Sequence, residues 1–390
     1  MSKAVNYIAF FFLTISLIYS IKGAVPIGDF LFFPMMAFSL FLSVFSIKVT
    51  KEIIINRGFK LFFYVNILNL FYYVLFEFGD FESFKYLISR FVQFSIFSIS
   101  IFFLKDNFSF YLIRFIKVFT VLSLISSLVF NFPDFNTRYM GIFFNPNEFS
   151  IIMVLGFSVF LFDKKKSAVE YFLILAFLIF IVISGSRSAF VGLLLSIFMY
   201  TRVNQIKLFT VLFFLVSVSL YFIFGYHESN VIFRISENSL FYNRQLEYMY
   251  AIDTLMQKPF FGYGLKNYAF IDANVIDFEN PIDFGAHNGY LSLLVQYGLI
   301  FGIIFFSIMI GGLVKIFRYD YTSSIENNMH VVFLKFVLIY TLINGLTENT
   351  FVGINYLQSN LFWIILAFLL FKIYDNENSS ISDRARLLHH

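Results

Sequence analysis

The stretch Ala286-His287-Asn288-Gly289-Tyr290 marks where a polar segment beginning near Tyr226 gives way to an apolar run long enough to cross a membrane. On both sides of that boundary the chain is built from such runs. A helix needs roughly 20 apolar residues to cross a hydrocarbon core of about 30 Å, and runs of that order recur from one end of the sequence to the other. With 59% hydrophobic and 13% charged residues among 390, the composition lies far from the soluble average of about half apolar and a quarter charged. Membrane β-strands would alternate apolar and polar residues, and these runs do not. The sequence therefore predicts an all-α integral membrane protein.

About twelve transmembrane helices are expected, near residues 5–21, 30–47, 59–77, 84–104, 113–130, 148–162, 168–183, 188–201, 207–225, 288–314, 331–347 and 356–373. They form a single polytopic membrane domain over residues 1–376, with one large extracytoplasmic loop, 226–286, that contains short helices. The polar tail, 377–390, is expected to be disordered and cytoplasmic, and the terminal His389-His390 pair is set aside from site reasoning. The first run follows Lys3, but Tyr19-Ser20-Ile21-Lys22 offers no small-x-small cleavage pattern, so it reads as an uncleaved span.

Basic residues set the sidedness. Lys48, Lys51, Arg57 and Lys60, then Lys105, Lys164-Lys165-Lys166, Arg202 and Lys207, and finally Lys315 and Arg318 fall in every second loop, so those loops and both termini are expected in the cytoplasm. The intervening loops are acidic, with Glu77, Asp80 and Glu82 in one, and eight acidic against four basic residues in 226–286. The net charge of +4 is what basic cytoplasmic loops supply and calls for no nucleic-acid partner. The 62 Phe are spread over nearly every run and read as lipid-facing and packing side chains. Without cysteine there is no disulfide, thiolate metal site or cysteine nucleophile. No P-loop or glycine-rich dinucleotide turn occurs, and the outer histidines and carboxylates show no metal-ligand spacing, so no cofactor or metal is expected.

The polar clusters that do not serve topology all fall on the expected outer side. Ser184-Gly185-Ser186-Arg187-Ser188 joins two spans by a tight turn and sets a guanidinium at the surface. It is either an arginine snorkelling to headgroups or an anion site in which small neighbours expose backbone N–H groups. Arg244 opens an amphipathic helix, Asn243 to Gln257, stopped by Pro259 and Gly262. A cation in a first turn opposes the helix dipole, which points to an anionic partner, the alternative being an i,i+3 pair with Glu247. His287, with Asn288 beside it, stands where water meets apolar packing; it is either a structural histidine or a proton acceptor, with His227 as the rival base. Arg138 precedes Asn145-Pro146-Asn147-Glu148, where Asn145 or Asn147 is a helix cap or part of a site. Arg90, about two turns inside its span, is expected to line a hydrophilic pocket open to the outer face. Thr347-Glu348-Asn349 is the last such cluster, with Glu348 as another proton acceptor should His287 prove structural.

Taken together, Arg138 with Gly141 and Asn145-Pro146-Asn147, the Ser184 to Ala189 turn, Arg244 followed by Pro259-Phe260-Phe261-Gly262-Tyr263-Gly264, and His287-Asn288 with nine residues to Gly298 resemble the O-antigen polymerase and O-antigen ligase superfamily. The resemblance runs in order from about residue 138 to 350. Gly302 follows Gly298 by four residues where ligases often have three, a departure from the ligase branch.

What the resemblance implies is a metal-independent, inverting glycosyltransferase at the outer face of a bacterial inner membrane, using an undecaprenyl-pyrophosphate-linked glycan as donor. Arg187 and Arg244 would hold the pyrophosphate and His287 would take the acceptor proton. Arg138, Asn145, Asn147, Arg90, Asn288 and Glu348 would bind substrate. The partners implied are the lipid-linked oligosaccharide donor and acceptor, the bilayer and a chain-length regulator protein. The leading expectation is a polymerase that moves the growing glycan onto a lipid-linked repeat unit; the alternatives are a ligase acting on lipid A core and, from another class, a flippase or transporter.

Overall fold

The computed structural model describes residues 3–45, 47–133, 137–201, 242–267, 269–276, 287–319, 328–351 and 353–387. The expected span at 207–225 and His227 lie outside them. Among the described residues the chain is helical, and an isolated bridge between Ile21 and Phe143 takes the place of any sheet. In chain order the helices are α1 (Ile8–Tyr19), α2 (Val25–Phe45), α3 (Ile47–Ile55), α4 (Lys60–Phe76), α5 (Phe81–Leu104), α6 (Asn107–Phe130), α7 (Pro146–Leu161), α8 (Ala168–Ser184) and α9 (Arg187–Thr201). They continue with α10 (Tyr242–Gln257), α11 (Gly289–Arg318), α12 (Asn328–Asn344) and α13 (Leu357–Leu387).

Among the described residues six segments are long and apolar enough to cross a membrane: Val25–Ser43, Arg57–Phe76, Phe81–Leu104, Asn107–Phe130, Gly289–Arg318 and Leu357–Glu377. Five shorter apolar helices, at Val5–Tyr19, Pro146–Leu161, Ala168–Ser184, Arg187–Thr201 and Met329–Asn344, fall on five more of the runs expected to span. At 1.5 Å per residue a helix of 15–17 residues reaches about 22–26 Å, short of a hydrocarbon core of about 30 Å.

Helix α13 is the centre of the bundle, since 94% of its apolar window is buried. Trp363 stacks on Phe62 at 5.2 Å and meets Phe305 edge-on at 5.9 Å, which ties α13 to α4 and α11. Gly58 carries no side chain because a Cβ there would land on the Phe371 backbone. Outside this core large apolar side chains face outward, among them Phe30, Phe33, Phe71 and Phe130, as a lipid-facing surface requires. Helix α13 runs to Leu387, and the Lys315 ammonium lies 3.1 Å from the Glu377 carboxylate.

Helix α11 is broken at Gly298 (φ 67°, ψ 179°), and the break explains the Pro259 to Gly264 turn. In an unbroken helix Leu299 and Ile300 N–H would donate to Val295 and Gln296 C=O. Instead Leu299 N–H donates to Pro259 O at 2.7 Å and Ile300 N–H to Phe260 O at 3.3 Å. The abandoned carbonyls of Val295 and Gln296 accept Tyr263 and Gly264 N–H, each at 2.9 Å. Two donors and two acceptors released by the kink are thus satisfied by the loop, as backbone away from water demands. The approach is so close that a Cβ on Gly262 would land on the Gly298 backbone, and one on Gly298 would land on Phe260.

The same loop is pinned to the turn between α4 and α5. Leu265 N–H donates to Glu77 Oε2 at 3.0 Å, Lys266 pairs with Asp80, and Tyr72 OH donates to Phe261 O. Helix α10 packs on α11 through a small cluster of Tyr250, Ala251 and Ile271 with Leu291. The polar segment before His287 is therefore fastened to the bundle at both ends of its described part.

Candidate functional site

His287 stands one residue before Asn288, which caps α11 by accepting Tyr290 and Leu291 N–H, each at 3.0 Å. Asn288, expected to bind substrate, is thus a buried cap that also donates to Leu346 O at 3.2 Å. Gly289 N–H donates to Gly345 O at 2.8 Å and to Glu348 O at 3.0 Å, and a Cβ on Gly289 would meet Phe351 at 2.9 Å. These contacts seat the start of α11 directly on the turn after α12. They bring together His287 and Glu348, 61 residues apart in sequence: His287 Nδ1 lies 3.6 Å from Glu348 Oε2. The imidazole is 38% exposed and the carboxylate 12%, so one end of the pair faces open space and the other is packed away.

Behind Glu348 the contacts continue. Asn147 Nδ2 donates to Glu348 Oε1 at 2.8 Å, Arg138 Nη2 donates to Asn147 Oδ1 at 3.0 Å, and Arg138 Nε donates to Ser184 O at 3.0 Å. Asn145 is the cap of α7, accepting Glu148 N–H at 2.8 Å, which leaves Asn147 free of capping duty. Arg138 thus reaches from Asn147 to the turn that carries Arg187.

Arg187 opens α9 and is exposed. Within the turn Gly185 N–H donates to Val182 O at 3.0 Å and Ser186 N–H to Ser184 Oγ at 3.4 Å. The left-handed Gly185 (φ 59°) simply ends α8. Arg244 lies in the first turn of α10, and its side chain is outside what the structure describes.

Arg90 is placed differently from the expectation. It is 3% exposed and donates to Tyr86 OH at 3.1 Å, Gln93 Oε1 at 2.9 Å and Phe351 O at 3.0 Å. A buried guanidinium must spend its donors on nearby acceptors; two of these lie on its own helix, and the third, Phe351 O, is three residues past Glu348.

A cavity of about 840 Å³, a size that takes small organic ligands, has His287, Glu348 and Asn145 in its wall. Among its other polar groups are Glu148 and Asn349, from the two clusters noted in the sequence, and Lys85, Lys266 and Asn355, which were not singled out there. Tyr19, Phe81, Tyr86 and Tyr356 supply ring surface. The cations among its described lining residues are Lys85 and Lys266, each beside a carboxylate, Glu82 at 2.7 Å and Asp80 respectively. Lys266 holds the Asp80 carboxyl below the usual carboxylate range, whereas burial pushes the Glu77 carboxyl up, partly offset by the Leu265 N–H. Glu148 lies close enough to Glu348 for their charges to repel. The signal that could have found Lys85 and Lys266 is their position in or beside acidic stretches, where a basic residue runs against the local charge.

No curated protein matches the chain. Residues 172–307 match the family described as O-antigen ligase, a segment that takes in Arg187, Arg244, the Pro259 to Gly264 turn, His287 and the break at Gly298. That match supports the resemblance of the chain to the O-antigen ligase and polymerase superfamily.

Proposed function

We propose that the protein is a surface-polysaccharide polymerase that transfers a growing glycan from undecaprenyl pyrophosphate onto a lipid-linked repeat unit. The observation that carries the reading is His287 in the wall of the 840 Å³ cavity, exposed on one side and backed by Glu348 on the other. The acceptor hydroxyl oxygen attacks the anomeric carbon from the face opposite the leaving group and gives its proton to His287. The bond from that carbon to the pyrophosphate oxygen breaks, its electron pair leaves with the pyrophosphate, and the configuration inverts. Arg187 and Arg244 offer planar, permanently charged forks for the phosphate oxygens, which stabilise the charge that builds on the leaving group. No general acid and no metal are then needed. The ring faces and amides of the cavity suit the CH and OH faces of sugars.

The reading also includes twelve spans in the bacterial inner membrane, both termini in the cytoplasm and the site on the outer face, as the charge alternation supports. A chain-length regulator remains a proposed partner. The second reading is a ligase that moves the finished glycan onto lipid A core, favoured by the description of the matched family. Deleting the gene separates them. Surface glycan reduced to single repeats supports the polymerase, and loss of both long and short glycan from the core supports the ligase. Carrier-linked units trapped inside the cell would refute both in favour of a flippase.

A further inference from the structure

The row Arg138, Asn147, Glu348, His287 has a direction that its chemistry fixes. A guanidinium only donates hydrogen bonds, so the Asn147 oxygen must face Arg138, 3.0 Å away, and the Asn147 NH2 must face Glu348, 2.8 Å away. That donor engages Oε1 of the carboxylate and leaves Oε2 directed at His287 Nδ1. An ionised carboxylate only accepts, so the imidazole proton belongs on Nδ1, and Nε2 keeps its lone pair. At 3.6 Å the last contact is longer than a hydrogen bond, as catalytic contacts often are before substrate is bound. Gly289 N–H is bonded to the Glu348 carbonyl, so the backbones that carry the two side chains are held side by side.

We infer that Glu348 is a positioning residue for the base: it selects the Nδ1–H form of His287, and Asn147 and Arg138 exist to hold Glu348 in the orientation that does so. Three residues expected to touch substrate are thereby reassigned to support, and all three lie outside the segment matched by the family. The inference rests on His287 as proton acceptor.

Glu348→Gln tests it because the replacement is the same shape and cannot satisfy the row in either orientation. With its NH2 toward His287 it forces the imidazole to accept at Nδ1, which moves the proton to Nε2 and removes the base. With its NH2 toward Asn147 two donors face each other, and relief by an Asn147 flip presents a second NH2 to Arg138. Full-length protein in detergent or nanodiscs, with lipid-linked repeat units as substrate, is assayed for wild type, Glu348→Gln, His287→Ala and the double variant.

The expected result is a kcat loss of about tenfold or more for Glu348→Gln, bounded by the about hundredfold to ten-thousandfold worth of a general base. The KM for the acceptor stays within about twofold of wild type, and Glu348→Gln adds no loss on the His287→Ala background, as residues acting as one unit behave. Asn147→Ala serves where Glu348→Gln fails to insert; it should lower kcat in the same KM-silent way. A raised KM with unchanged kcat would overturn the inference and return Glu348 to substrate binding. Multiplying losses in the double variant would overturn it by showing that Glu348 acts apart from His287. Near-normal turnover by His287→Ala would instead refute the reading of the site, whereas an inactive His287→Ala beside a normal Glu348→Gln refutes only the inference.

Discussion

Replacing Gly298 by alanine attacks the joint between the polar loop and α11 without touching any side chain of the site. The residue sits at φ 67° and ψ 179°, a region open essentially to glycine, so the methyl group carries a strain of about 1–3 kcal/mol even where space exists. Space does not exist, because the new Cβ would land on the Phe260 carbonyl, so the loop must also move. Four hydrogen bonds cross the joint, from Leu299, Ile300, Tyr263 and Gly264. At about 0.5–1.5 kcal/mol each, their complete loss together with the strain sets a ceiling of roughly 9 kcal/mol, and strain alone a floor near 1 kcal/mol. A loss of about 3–5 kcal/mol is expected, with the loop released and the bundle still inserted. Thermal unfolding of purified Gly298→Ala and limited proteolysis between residues 258 and 276 read the two effects. Wild-type thermal stability with an unchanged cleavage pattern would refute the account of the joint.

Lysine at Arg187 or Arg244 keeps the charge and loses the two-point fork, so either substitution should strongly impair transfer; wild-type turnover by both variants would remove the pyrophosphate assignment. His287→Ala should lower turnover by about a hundredfold to ten-thousandfold without loss of membrane insertion, measured on purified protein with lipid-linked donor. Cysteine labelling in whole cells should find Lys165, Arg202 and Arg318 positions in the cytoplasm and Asp80, Ser186 and Asn274 positions outside. Ser186 and Asn274 on opposite sides would dismantle the site.

The helical membrane class was legible because it follows from composition alone, and Asn145 as a cap was legible because capping is local. What the sequence hid was everything decided at long range. The Gly262 and Gly298 motifs were visible, but that each exists to let the other approach depends on a contact between two segments. Arg90 was read by its depth in a span, and depth does not say whether a cavity or a carbonyl such as Phe351 O faces it. Glu348 and His287 were both noticed, yet as alternatives for one task; only the seating of α11 on the turn after α12 makes them a pair. The runs expected at 148–162, 168–183 and 188–201 coincide to within two residues at either end with α7, α8 and α9, because apolar content and the flanking turn residues are both local signals.

The buried polar group around Arg90 has a consequence for how the helices find their alignment. Arg90 binds Gln93, Gln93 binds Asn360, and Asn360 donates to Ser16 at 2.7 Å, so α5, α13 and α1 meet in one hydrogen-bonded knot. In lipid the flanks of these helices are nearly interchangeable: Phe and Ile surfaces slide past one another with little change in energy, since the solvent is as apolar as they are. A slip of one turn, about 5.4 Å, would strand every member of the knot. The knot therefore works as an index pin that admits one axial setting of three greasy rods. Because the fourth arm of that pin is the Phe351 carbonyl, the setting it selects is the one that delivers Glu348 to the histidine.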